Sequence, residues 1–186
     1  QSYVMPDGEE HKSYRHAEQA FDWLLESGIS RRSTIVAIGG GVTGDFAGYL
    51  AALYMRGVSI IHVPTTLVAQ VDSSIGGKTA VDLPEGKNLV GAFHQPTLVI
   101  ADPSVLATLP EAETRRGLAE VVKTALVGDP DLLAALETRG AHPDEPERWS
   151  ELVLPCARVK ARLVSLDPFD RSERQQLNLG HTFAHG

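Results

Sequence analysis

The stretch that decides the fold is "STIVAIGGGVTGDFAGYLAALYMRGVSIIHV", residues 33–63. An apolar run, a glycine-rich turn, a helical pattern of small and apolar residues and a second apolar run follow one another in it. Two apolar runs on either side of a helix predict a βαβ unit with parallel strands. The apolar run "TLVIA", residues 97–101, predicts a third strand. We therefore expect an α/β domain built on a parallel sheet.

The glycine-rich turn has the pattern G-x-G-x-x-G at Gly39, Gly41 and Gly44. Glycines let a backbone approach a pyrophosphate, and the helix that follows offers free N–H groups to it. The acid that a dinucleotide site carries about 20 residues further on is missing, because "HVPTT" stands there. Two interpretations stay open: a dinucleotide site, or a tight turn that binds nothing. Asp45 would repel a phosphate at this helix start, so a hydroxyl of a ribose or of a substrate suits it better.

Helical patterns surround this unit. Residues 13–28, "SYRHAEQAFDWLLESG", predict a helix with Ser13 as its N-cap and Gly28 at its end. Beyond Asp102-Pro103 the pattern is helical only, which places a boundary near residues 102–110. Four further helices are predicted, at residues 111–128, 129–140, 146–166 and 171–186.

Composition and charge exclude several classes of protein. A chain of 186 residues with 42% hydrophobic content can bury one core, or one domain and part of a second. The net charge of -7 argues against a general nucleic-acid binder, which needs a basic face. With no apolar run near the roughly 20 residues of a membrane span and no secretory signal pattern, we expect a cytoplasmic protein. The single Cys156 predicts an inert, packed thiol.

Residues 64–96 are rich in polar residues and glycine, and we interpret them as functional loops. Lys78 follows two glycines and could reach a bound anion, and Lys87-Asn88 adds a second cation with an amide beside it. Taken alone, each lysine is as well explained by a solvated surface turn. Asp72 is either a structural turn acid or an acceptor for ligand hydroxyls next to the anion site.

The helical half carries two pairs of polar side chains at helical spacing. Glu120 and Lys123 lie three residues apart, as an ordinary ion pair or as a metal-ligating carboxylate beside a substrate-binding ammonium. His181 and His185 lie one turn apart, as structural histidines, as two metal ligands, or as a ligand and an acid/base. Thr182 stands where H-E-x-x-H requires its glutamate, so a metalloprotease is excluded.

Taken in order, these motifs resemble the 3-dehydroquinate synthase family over almost the whole chain. The resemblance rests on "MPDGEEHK", "GGGVTGDFAGYLAALYMRG", "VPTTLVAQVDSSIGGKTAVDLPEGKNLVGAFHQP", "GLAEVVK", "VKARLVSLD" and "RQQLNLGHTFAHG". It implies an NAD-dependent, zinc- or cobalt-binding homodimer. The implied reaction converts 3-deoxy-D-arabino-heptulosonate 7-phosphate to 3-dehydroquinate with loss of phosphate. The implied fold is a Rossmann-like NAD-binding domain with a parallel sheet, residues 1–105, followed by a helical metal and substrate domain, residues 106–186.

The resemblance also implies roles for individual residues. Contacts to NAD⁺ are expected from Glu9, Lys12, Gly40, Gly41, Asp45, Thr65, Thr66, Lys78 and Lys87. The substrate pocket is expected to contain Asp72, Lys78, Lys87, Asn88, Lys123, Lys160, Arg174, Asn178 and His185, with Arg56 reaching a neighbouring subunit's phosphate site. The metal ligands are expected to be Glu120 and His181, with a third histidine further along the family's chain. Asp170 stands where the family usually has Glu, and its shorter side chain puts that contact in doubt.

Three other interpretations follow from the same features. Another sugar phosphate cyclase would share both the glycine turn and the metal region. The metal-dependent polyol dehydrogenases lack the loops "DSSIGGKTAVDLPEGKN" and rank low. A noncatalytic nucleotide-binding protein is the third, because the resemblance implies that this chain is a fragment without the family's N-terminal strand and most of its helical domain.

Overall fold

The computed structural model describes residues 1–141 and 148–180. These residues form two compact units. The first, which we call the sheet unit, contains residues 1–64 and 77–100; the second, the helical unit, contains residues 65–76 and 101–186. Assignment of NAD binding to residues 1–105 and of metal and substrate binding to 106–186 stays a prediction.

The sheet unit contains the predicted βαβ arrangement. Helix α1, Tyr14–Glu26, is N-capped by Ser13, whose hydroxyl accepts from His16 N. Strand β1, Thr34–Gly39, leads through the glycine turn into α2, Gly41–Leu53, and then into β2, Ser59–Pro64. β1 and β2 are parallel, with Val36 opposite Ile61. The predicted parallel sheet is confirmed, and Ala17, Phe46, Tyr49 and Ile60 form part of its buried core.

A β-hairpin occupies much of the region that we interpreted as loops. Strands β3, Lys78–Leu83, and β4, Gly86–Phe93, are antiparallel, with Val81 opposite Val90. The loop interpretation was wrong here because Val81 and Val90 pack in the hydrophobic core of the sheet unit. Helix α2 approaches β3 closely at Gly48, where any Cβ would collide with the Thr79 side chain. The third strand of the parallel sheet, β5, is Leu98–Val99, and it pairs with β2.

The helical unit confirms most of the predicted helices. It contains α3, Glu111–Gly128, α4, Pro130–Arg139, and α5, Trp149–Leu166. Shorter 3₁₀ helices span Pro103–Thr108 and Glu173–Asn178, and a π-helical turn spans Ala69–Ser73. The fully buried side chains of its core include Leu67, Val71, Val121 and Cys156.

Cys156 is buried, so the prediction of a packed cysteine is confirmed, and burial raises the pKa of its thiol to about 12. In the described part of the chain, the helices are too short or too polar to cross a membrane.

Candidate active site

In the sheet unit, the ammonium group of Lys12 gathers several of the predicted cofactor and substrate residues. The side chain is buried, and its Nζ donates to Asn88 Oδ1 at 2.8 Å and to Asp45 Oδ2 at 3.3 Å. It also lies 2.9 Å from Glu9 Oε1, while Lys87 Nζ donates to Glu9 Oε2 at 3.0 Å. Five predicted site residues that are distant in sequence therefore lie together.

The charges around Lys12 explain how its cluster can bind hydroxyl groups. Burial lowers the pKa of Lys12, but Glu9, Asp45 and Asp82 raise it more, so the group stays charged. Burial raises the pKa of Asp45 to about 6, although Lys12 opposes the shift. Carboxylates outnumber ammonium groups here, which favours hydroxyl donors over phosphate oxygens as ligands. This agrees with the proposal that Asp45 binds a ribose or substrate hydroxyl.

The glycine turn is suited to a pyrophosphate. Helix α2 begins at Gly41, with Gly40 as an N-cap that has no side chain to accept a hydrogen bond. The N–H groups of the first turn therefore lack a side-chain cap and can donate to an anion. Asp45 lies in the second turn of α2 rather than in the first, where it would have opposed an anion. The turn is therefore compatible with an anion such as a pyrophosphate, and contacts of Gly40 and Gly41 to NAD⁺ stay a prediction.

Two predicted site residues have unusual backbone conformations. Arg56 has φ 68° directly after Met55 at φ 50°, and Asn88 has φ 57°. Residues other than glycine seldom adopt positive φ, and such strain is concentrated at functional sites. Arg56 is exposed, as is Lys78 at the start of β3.

In the helical unit, the carboxylate of Asp72 joins two buried lysines. Asp72 lies in the π-helical turn, a feature frequent at functional sites. Its Oδ2 is 3.3 Å from Lys123 Nζ, and its Oδ1 accepts from Lys160 Nζ. Lys123 also donates to Glu120. Only 8% of Lys123 and 7% of Lys160 is exposed.

These four groups form a compact charged cluster. Burial alone would raise the pKa of Asp72, but Lys160 and Lys123 hold it well below its usual range. Burial lowers the pKa of Lys123, and the carboxylates of Asp72 and Glu120 raise it more. Glu120 and Lys123 are thus more than an exposed i,i+3 pair, because Lys123 is buried and also bonds to Asp72.

Arg174 is a third cation that acts on this cluster. It is almost completely buried, and its Nη1 donates to Gly76 O at 2.8 Å and to Pro168 O at 3.3 Å. Burial lowers the pKa of Lys160, and the positive charge of Arg174 lowers it further, while Asp72 opposes the shift. Arg174 thus adds a third cation to Lys123 and Lys160, and the carboxylates of Asp170, Asp72 and Asp167 act on it in turn. An anionic substrate requires fixed cations of this kind.

Three more predicted site residues of the helical unit are Thr65, Thr66 and Asn178. Thr66 Oγ1 accepts from Ala69 N at 3.3 Å and thereby caps the helical turn that carries Asp72. Thr65 is half-buried, and Asn178 is exposed at the end of its 3₁₀ helix. His181 and His185 lie outside the described residues.

Of the two expected metal ligands, only Glu120 lies among the described residues. Across residues 1–141 and 148–180, no group of three or more His, Cys, Asp or Glu side chains could hold a metal ion. A carboxylate oxygen from Glu120 and an imidazole from His181 are donors that suit Zn²⁺ or Co²⁺. The half-buried Glu120 carboxylate fits one position of such a site, and the complete ligand set stays a prediction.

Two carboxylates that hold the site together were missed in the sequence. Asp82 accepts from Asn88 N at 2.7 Å and lies 3.6 Å from Lys12 Nζ. Asp167 accepts from the backbone N–H groups of Arg171, Ser172 and Arg174. The only local sign was that each precedes a turn, where Asp often accepts backbone hydrogen bonds.

Comparisons with known proteins agree with this arrangement. The model of the 3-dehydroquinate synthase N-terminal domain matches residues 2–116, and that of the C-terminal domain matches residues 117–186. The 3-dehydroquinate synthase of Halorhodospira halophila is 52% identical over 190 residues, which cover 100% of this chain and 53% of the relative. This chain thus spans about half the length of the curated relatives it matches.

Solved structures of sugar phosphate cyclases have the same fold. A 2-deoxy-scyllo-inosose synthase complexed with carbaglucose-6-phosphate, NAD⁺ and Co²⁺ is 34% identical, with a TM-score of 0.88 over 96% of this chain and 49% of that one. A 2-epi-5-epi-valiolone synthase from Streptomyces hygroscopicus, with NAD⁺ and Zn²⁺ bound, is 32% identical, with a TM-score of 0.89 over 97% of this chain and 52% of that one. On these grounds the chain belongs to the 3-dehydroquinate synthase family.

Proposed function

We propose that the protein to which this chain belongs is a 3-dehydroquinate synthase, a carbon–oxygen lyase acting on a phosphate ester. It converts 3-deoxy-D-arabino-heptulosonate 7-phosphate to 3-dehydroquinate and phosphate in the shikimate pathway to aromatic amino acids. The observation that carries the proposal is the cluster of Lys123, Lys160 and Arg174 around Asp72. A substrate with a carboxylate and a phosphate needs several cations that are held in place inside an otherwise acidic protein.

NAD⁺ is the proposed cofactor of the sheet unit. Glu9 and Asp45 would accept hydrogen bonds from hydroxyl groups, while the N–H groups after Gly40 would hold the pyrophosphate. When bound, NAD⁺ supplies reversible uptake of a hydride from a substrate carbinol. Because the overall conversion is redox-neutral, no second redox partner would be needed.

A divalent metal ion, Zn²⁺ or Co²⁺, is the second proposed cofactor, and Glu120 and His181 are two of its proposed ligands. When bound, it supplies polarisation of the substrate hydroxyl that is oxidised. Lys123 bonds to Glu120 and would orient that carboxylate while its own positive charge faces the substrate.

The charged residues of the helical unit would bind the substrate and orient it for the reaction. Lys160 and Arg174 would hold the anionic groups of the substrate, so that the phosphate ester lies beside the C–H bond to be broken. The leaving phosphate can then accept that proton itself. Asp72, ionised at any physiological pH, would keep Lys123 and Lys160 in place. It would also accept a hydrogen bond from a substrate hydroxyl.

Lys123→Ala tests this assignment in the full natural protein. Loss of a buried cation that contacts the reacting substrate should lower kcat by about 100-fold or more. Arg115→Ala is the matched control, since Arg115 is exposed on the same helix and bonds to Glu111 at the surface. Near-normal activity of a folded Lys123→Ala enzyme would contradict the role given to this lysine.

Another sugar phosphate cyclase is the second candidate, favoured by the solved cyclase structures at 32% and 34% identity. The two candidates differ in whether the substrate carries a carboxylate. Phosphate release should be measured with 3-deoxy-D-arabino-heptulosonate 7-phosphate and with hexose and heptulose phosphates that lack the carboxylate. Release only from the carboxylated sugar supports the first candidate, and release only from the others supports the second.

The family resemblance also supports a homodimer and a cytoplasmic location. Arg56 would contribute to the phosphate site of the neighbouring subunit, which its exposed position on the sheet unit allows. An Arg56→Ala enzyme that remains dimeric but binds substrate more weakly would support this arrangement.

A further inference from the structure

We infer that Asp82 is a positioning residue of the proposed NAD⁺ site, which it shapes through the backbone of Asn88. The inference rests on the proposed function, because it concerns the same cofactor. No role was predicted for Asp82 from the sequence.

The first observation is a bulge in the hairpin. Val81 pairs with Val90, whereas Leu83 pairs with Gly86, so Asp82 alone faces residues 87–89 of β4. An irregular ladder of this kind redirects side chains, and bulges are frequent near active sites. Here the bulged residues include Lys87 and Asn88, two of the predicted site residues of the hairpin.

The second observation is that the carboxylate of Asp82 closes this bulge. Its Oδ1 accepts from Asn88 N at 2.7 Å. Asn88 has φ 57°, in the left-handed region that asparagine adopts more readily than most residues other than glycine. The carboxylate of Asp82 thus fixes the backbone of Asn88, whose side-chain oxygen accepts a hydrogen bond from Lys12 Nζ.

The third observation is that Asp82 also fixes Lys12 itself. The backbone N of Asp82 donates to Lys12 O at 2.7 Å. The same Oδ1 that accepts from Asn88 lies 3.6 Å from Lys12 Nζ. One residue therefore sets both the backbone of Lys12 and the direction of its ammonium group.

These contacts have a consequence for cofactor affinity. Lys12 and Asn88 bond to each other through side chains at 2.8 Å, so a shift of the bulge would move both. Glu9 would be affected too, because Lys12 and Lys87 both bond to its carboxylate. Loss of the Asp82 acceptor should therefore weaken NAD⁺ binding without removing any group that contacts NAD⁺.

The test compares Asp82→Ala with Asp82→Asn in the full natural protein. Asparagine keeps an oxygen that can accept from Asn88 N, and alanine does not. We expect the Kd for NAD⁺ to rise by about tenfold in Asp82→Ala and by less than about threefold in Asp82→Asn. At saturating NAD⁺, the loss of kcat in Asp82→Ala should be smaller than the loss of NAD⁺ affinity, because no group assigned to the reacting atoms is removed. Glu85→Ala, which removes an exposed carboxylate from the same hairpin turn, is the control.

The outcomes separate the inference from the proposed function. If wild-type protein does not bind NAD⁺, the proposed function fails and the inference with it. If wild type binds NAD⁺ and Asp82→Ala binds it equally well, the inference alone is overturned. Equal loss in Asp82→Asn and Asp82→Ala also overturns it, because the charge and not the bond to Asn88 would then matter. If Asp82→Ala does not fold, the Kd of folded Asp82→Asn still decides, since a tenfold rise there contradicts the inference.

Discussion

The pKa of Asp45 leads to a quantitative prediction about stability. Burial raises this pKa from 3.8 to about 6. A carboxyl group with a raised pKa stabilises the folded state below its unfolded pKa, and this stabilisation is lost as the pH rises through the folded value. At 1.36 kcal/mol per pKa unit, the full effect is about 3 kcal/mol. About 1.4 kcal/mol of it should be lost between pH 5 and pH 8.

Asp45→Asn removes the titrating group and should abolish this part of the pH dependence. Urea unfolding of wild type and variant at pH 5, 6, 7 and 8 would measure the difference between their free energies of unfolding. We expect wild type to lose about 1.4 kcal/mol relative to the variant from pH 5 to pH 8. Because Lys12 opposes the shift, Lys12→Met should move the same step to higher pH. A constant difference, or one of opposite sign, would refute the reasoning.

Three further predictions concern the helical unit. Asp72→Asn leaves two buried ammonium groups without their shared carboxylate and should cost about 3 kcal/mol in urea unfolding, whereas the exposed Glu111→Gln should cost less than about 0.5 kcal/mol. Gly76→Ala places a Cβ against the Arg174 guanidinium at φ 104°, so its melting temperature should fall more than that of Gly140→Ala, where φ is 75° and no atom lies within 4 Å; equal losses would contradict this. Cys156, buried and with its pKa raised to about 12, should resist iodoacetamide at pH 8 until urea unfolds the protein.

Elements with a strong pattern of their own were predictable from the sequence. The βαβ unit follows from two apolar runs around a glycine turn, and α3 begins and ends at the predicted residues, 111 and 128. The hairpin of β3 and β4 was missed. Val81 and Val90 are its residues in the hydrophobic core, and the glycines and lysines around them made the stretch resemble loops.

Contacts between distant residues could not be predicted from local patterns. Lys12 and Asn88 are 76 residues apart, and only the family resemblance assigned both to ligand binding. Asp45 was expected in the first turn of its helix. Because α2 begins at Gly41, it lies one turn further on, where burial shifts its pKa.

The role of Asp82 depends on tertiary structure throughout. Its partner Asn88 N becomes available only because the register of the hairpin shifts between Val81 and Leu83. Such a shift has no recognisable pattern in one sequence.

The most direct test of the proposed function is the stoichiometry of the reaction. The full natural protein should be incubated with excess 3-deoxy-D-arabino-heptulosonate 7-phosphate, Zn²⁺ or Co²⁺ and a catalytic amount of NAD⁺, while phosphate, 3-dehydroquinate and NADH absorbance are followed together. The proposal predicts one phosphate and one 3-dehydroquinate per substrate consumed, with no net accumulation of NADH. Reduction of all the added NAD⁺ to NADH, followed by arrest of the reaction with no phosphate released, would indicate a dehydrogenase. Absence of turnover by folded protein would contradict the proposed synthase activity.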